Sequence, residues 1–60
     1  MNAIDRNYAL ATHAVMKIME GPDATLDDAV YKAATDNGLG LNQYGRLMIE
    51  AKKYFSEKTS

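Results

Sequence analysis

Apolar residues recur along this chain at intervals of three and four, in three blocks separated by glycine and proline. In the first block Ile4, Tyr8, Ala11, Val15 and Ile18 are spaced four, three, four and three, which gathers them on one helical face. Met19, Leu10 and Ala14 widen that stripe, while Asp5, Arg6, His13, Lys17 and Glu20 fall on the far side. The pattern predicts a helix over 3–20, stopped by Gly21-Pro22, with Gly21 free to take a left-handed cap and Pro22 unable to continue.

The second block opens at Thr25, whose hydroxyl can accept a bond from a free first-turn amide. Asp28, three residues on, gives a short version of a capping box, and Asp27 and Asp28 suit the positive end of a helix. Leu26, Val30 and Ala33, with Ala29 beside them, make the inner stripe of a helix over 26–37 that ends at Gly38. The third block follows Gly40-Leu41, with Asn42 as the expected cap. Tyr44, Met48, Ala51 and Phe55, joined by Leu47 and Tyr54, form one face of a helix over 42–57, with residues 58–60 as a frayed tail. No period-two alternation persists anywhere, so no strand is expected. The reading is an all-α chain, a compact three-helix bundle with short connections, in a single domain over 1–60. Val15, Ile18, Leu26, Val30, Leu47, Met48 and Phe55 are its expected core.

Length and charge narrow the function classes. Sixty residues without cysteine leave a thin core with neither disulfide nor thiolate metal site to staple it. Packing, self-association or a partner must supply the stability. Seven basic residues stand against eight acidic ones, so the basic excess expected of a dedicated nucleic-acid binder is missing. The longest apolar run, Tyr8-Ala9-Leu10-Ala11, is far short of a membrane span, and the N-terminus MNAIDRN has no basic leader. These features read as a cytoplasmic protein without membrane association.

The segment TDNGLGLNQYGRL, residues 35–47, carries the one motif-like pattern. Ala34, Gly38, Leu39, Tyr44 and Leu47 occupy the spaced alanine, glycine and hydrophobic positions of the helix-turn-helix family, which this stretch resembles over about twenty residues. Asn37 stands where that family buries a hydrophobic residue, and Gly40-Leu41 where it starts its second helix with a small polar one. The resemblance implies a small DNA-binding regulator using residues 30–50. Gln43, Arg46 and Lys53 would then face the groove, Arg46 suited to a guanine edge and Gln43 to an adenine edge. A glycine-containing corner between two helices accounts for the same residues, and the balanced charge favours it.

Catalytic and metal chemistry find no foothold. No Lys follows Gly38, Gly40 or Gly45 as a phosphate-binding loop requires. His13 has Ala9, Leu10, Met16 and Lys17 as helical neighbours, none a good ligand or proton-relay partner. Glu20, Asp23, Asp27 and Asp28 lack the register of a calcium loop and are explained by capping and solvation. Against that acidic end, Arg46, Lys52, Lys53 and Lys58 make the third helix mildly positive. No catalytic, cofactor-binding or metal-ligating residues are assigned, and no enzyme is expected.

Apolar residues off the stripes point elsewhere. Met16 and Ile49 lie about 120° from the centres of their helical stripes. Tyr31 also lies off its stripe, and Gly45 near Ile49 would let a second backbone approach. These four, Met16, Tyr31, Gly45 and Ile49, form the expected partner interface. The chain reads as a protein–protein interaction module (an inhibitor, adaptor or assembly component) that self-associates as a homo-oligomer or docks on a larger partner. The helix-turn-helix regulator is the alternative.

Overall fold

Asn2 begins the structure by capping it. In the computed structural model, which describes residues 2–59 with side chains through residue 57, Asn2 is extended. Its Oδ1 accepts the Asp5 N–H at 2.8 Å. That bond satisfies one of the free first-turn donors of α1 (Ala3–Ile18), and Asp5 adds a carboxylate where the helix dipole favours it. Thr25 does the same for α2 (Leu26–Asp36), its Oγ1 accepting from Asp28 N–H at 3.4 Å. The third element, α3, runs from Leu41 to Thr59.

Helix ends depart from the sequence reading in four places, the smallest being α2, which ends at Asp36 with Asn37 as its cap rather than its last residue. α1 stops at Ile18, where Met19 caps it by donating to the Val15 carbonyl at 2.9 Å. Gly21 does not take the left-handed conformation; the turn is wound instead by short-range bonds from Glu20, Gly21 and Ala24 to the carbonyls of Lys17, Ile18 and Gly21. α3 starts one residue before the expected Asn42 cap. Tyr44 N–H already bonds the Gly40 carbonyl at 2.9 Å, so Gly40 sits at the cap and Asn42 inside the first turn. The helix continues past residue 57 to Thr59; Ser60 and the side chains of Lys58 and Thr59 lie outside the described residues.

Gly38 ends α2 as its residue type suggests. At φ 67° it alone among the described residues is left-handed, and that reversal returns the Leu39 and Gly38 amides to the Ala34 and Thr35 carbonyls at 2.9 and 3.3 Å. The Asn37 side-chain Nδ2 donates to the Ala33 carbonyl at 2.8 Å, fastening the corner to its own helix. Leu39, next in the chain, then packs on the core.

The contacts fix how the helices run. Ile4 and Asn7 share a cleft with residues 38–43, Tyr8 lies under Arg46, and Thr12, Val15 and Met16 share a groove with Leu47, Ala51 and Phe55. Contacts therefore advance in the same direction along α1 and α3, and α2 returns between them, touching both. The three-helix bundle is as the apolar stripes require.

Its core differs in composition from the expectation. Val15, Val30 and Leu47 are buried, but Ile18, Leu26, Met48 and Phe55 form a half-buried rim. The centre is Ala11, Ala29, Ala33, Ala34 and Ala51. Small side chains at the crossings let the backbones approach closely, so the larger ones are displaced to the edges. Ile4, on the predicted stripe, is 58% exposed because it lies at the first turn of α1, facing the open cleft at the end of the bundle. Leu10 and Tyr54, also assigned to core-facing stripes, are exposed as well.

Candidate interaction surface

The outer face of α3 follows from its inner one. Leu47 and Ala51 point into the core, and at 100° per residue Ile49 lies about 180° from their midpoint. It is 70% exposed. Gly45 and Leu41 continue from it at four-residue intervals, and Leu41 is 87% exposed. A Cβ placed on Gly45 would meet nothing within 4 Å. Each four-residue step turns about 40°, so the three form a strip that curves about 80° round the helix. It runs from Ile49 opposite the core through bare backbone at Gly45 to Leu41 at the mouth of the cleft shared with Ile4 and Asn7. Asn42, Arg46, Glu50, Lys52 and Lys53, all exposed, border it.

The four interface residues inferred from sequence do not share one patch. Gly45 and Ile49 lie together on this face. Tyr31, 61% exposed, belongs to the α2 flank, where its ring meets Tyr44 edge-on at 6.1 Å between centroids. Met16 is half-buried on the opposite flank, in a groove of about 150 Å³ that Glu50 and Tyr54 also line. Leu41 was the residue sequence reasoning missed. Placed in the turn, it escaped the four-residue repeat with Gly45 and Ile49 that marks it as the strip's end.

The residues offered for base reading are also dispersed. Gln43 is half-buried, and its Oε1 is shielded from solvent without a hydrogen-bond partner. The Arg46 guanidinium carbon sits 4.9 Å from the centroid of the Tyr8 ring, a cation–π contact that draws it toward α1. Lys53 alone of the three stands exposed on the outer face beside Ile49. Nothing in this placement favours nucleic acid over protein as partner. His13 is exposed on α1, and among the described residues no three potential metal ligands converge.

Under Arg46, Tyr8 has a buried Oη that meets no partner. Burial holds its pKa above the usual 10.0; Arg46 opposes that rise by favouring the phenolate, and Glu50 reinforces it. An unpaired buried hydroxyl costs roughly 1–3 kcal/mol, so Tyr8→Phe is expected to leave stability unchanged or raise it by about 1 kcal/mol in urea unfolding. The raised pKa adds a pH signature. The folded state keeps the proton longer than the unfolded one, so this stability is whole below pH 10 and is lost as pH climbs through the folded value. Tyr8→Phe should remove that component of the alkaline loss. A urea midpoint that falls markedly would mean that the hydroxyl is bonded after all.

No known protein family, curated protein or solved structure matches this chain. Among the described residues no helix is long and apolar enough to cross a membrane.

Proposed function

We propose that this chain is a non-enzymatic protein–protein interaction module, an inhibitor, adaptor or assembly component of the cytoplasm, that docks through the outer face of α3. One observation carries the reading: Ile49, 70% exposed and opposite the core, is followed at four-residue steps by Gly45 and by Leu41, which is 87% exposed at the start of α3. Exposed apolar side chains are common singly, but two such residues in register with a glycine form a surface another helix can occupy. Their burial against a partner removes apolar area from water at about 25 cal/mol per Å². The position of Ile49 opposite the core, away from the chain's own α1 and α2, supports a use by another chain.

Site-specific photocrosslinking tests the proposal. A benzophenone amino acid in place of Ile49 should give a discrete adduct in the source cell, whereas the same probe in place of His13, on exposed α1, should not. A diffuse smear, or equal adducts from both positions, would refute the assignment of this face.

A further inference from the structure

Resting on that reading and naming its partner, we infer that the occupant of the α3 face is a second copy of this chain, laid antiparallel across a two-fold axis opposite residue 48. The charges beside the strip carry the assignment. Arg46 and Glu50 stand on the α1 flank of α3, four residues and about 6 Å apart along its axis, Arg46 over the Tyr8 ring and Glu50 beside the Met16 groove. To meet a second copy, Arg46 exchanges its Tyr8 contact for the ion pair. An antiparallel two-fold axis keeps each flank on its own side and reverses its direction. Opposite residue 48 it brings Arg46 level with Glu50 of the second copy, and Glu50 level with Arg46 of the second copy. One register thus forms two reciprocal ion pairs from a single chain's sequence, the self-complementarity that a two-fold interface demands.

The apolar strip fits the same register. Ile49 comes within about 3 Å along the axis of Ile49 in the second copy, and equally close to Gly45 there. Gly45 has open space where a side chain would be, so the two backbones can approach until each isoleucine is covered. One turn further on, Lys53 comes level with the Asn42 amide of the second copy, and the Lys52 stem lies toward its Leu41. At Ile49 and Gly45 the strip faces away from α1 and α2, while its Leu41 end lies beside Ile4 and Asn7 of α1 at the mouth of the terminal cleft. An interface limited to one helix, about 28 Å long, belongs at the small end of the specific range. Dimerisation is therefore expected at micromolar concentration.

Sedimentation equilibrium over about 5–500 μM should show the wild-type chain passing from monomer to dimer mass. Arg46→Glu and Glu50→Arg each set like charges against one another at both pairs, and each alone should weaken the dimer by about tenfold or more. Mixed in equal amounts, the two variants should regain it, because each acid-rich flank then meets an arginine-rich one. A parallel in-register pair would also recover on mixing, but it sets like charges together in the wild type. Wild-type dimerisation and recovery together therefore identify the reciprocal antiparallel pairing. Ile49→Glu, at an exposed site, should be monomeric with an unchanged circular dichroism spectrum, which keeps the test intact if Arg46→Glu disturbs the Tyr8 contact and fails to fold. A mixture that stays monomeric while both variants are folded, an Ile49→Glu chain that still dimerises, or a wild-type chain monomeric throughout would overturn the inference. Photocrosslinking separates the two levels: a discrete adduct at position 49 of a mass other than two chains rejects the second copy but keeps the interaction module. The absence of any discrete adduct rejects both.

Discussion

Leu47→Ala lowers the stability of this protein by roughly 2–5 kcal/mol, the range for deleting a well-buried leucine and leaving a partly collapsed cavity. Leu47 is 1% exposed and heads the fully buried side chains by volume, ahead of Val15 and Val30. A chain of 60 residues has a total stability of only about 3–9 kcal/mol at typical values per residue. The variant is thus expected to lose much of its cooperative unfolding transition, with a thermal midpoint lower by about 10–30 °C if it stays folded. Alanine neighbours such as Ala11 and Ala33 cannot reach into the vacated space, which places the effect toward the upper part of the range. Thermal and urea unfolding followed by circular dichroism check it. A midpoint that barely moves would mean that α3 presents another face to the core.

The second large effect runs against simple hydrophobicity. Ala33→Leu adds apolar surface at a position with 0% exposure, yet it should destabilise by about 1–3 kcal/mol or more. Ala33 lies in α2, the helix packed against both others, and its neighbours in the core include Ala29, Ala34, Ala11 and Ala51. A leucine there must force the helices apart or adopt a strained rotamer, and the separation would loosen contacts that the mutation never touches. Ala9→Leu, exposed on α1, is the control that should leave stability nearly unchanged. Denaturant midpoints for the pair decide the point, and equal stabilities would show that the alanine core is not closely packed.

What could be read from the residues was direction; depth was harder. The spacing of Tyr8, Ala11, Val15 and Ile18 correctly turned one face of α1 inward, and Thr25 and Gly38 marked two helix ends through side-chain and backbone chemistry that acts locally. Whether a position on an inward stripe is buried depends on what lies across from it. Ile4 fails on that ground, since its face meets a cleft at the end of the bundle. Ile18 and Phe55 are half-buried because alanines occupy the crossings and leave larger side chains at the rim. α3 began one residue early because asparagine's preference for the cap was outweighed by a Gly40 carbonyl already accepting Tyr44. The candidate surface was half visible. Gly45 and Ile49 were placed together by spacing alone. Met16 and Tyr31 were separated from them by α3's orientation, which depends on contacts between segments far apart in the chain.

The corner at Asn37-Gly38 also makes the chain a clock. An asparagine followed by glycine is prone to deamidation, in which the glycine amide nitrogen attacks the side-chain carbonyl and the amide leaves as ammonia. Here that nitrogen donates to the Thr35 carbonyl, and the Asn37 amide is tied to Ala33. Both reactants are held in other bonds, and φ 67° at Gly38 fixes the peptide between them. The ring closure must wait for the corner to open, so the rate of ageing at Asn37 follows the fraction of time this local structure is undone. Aspartate and isoaspartate accumulating at residue 37 would record, irreversibly, how often each molecule had opened this corner.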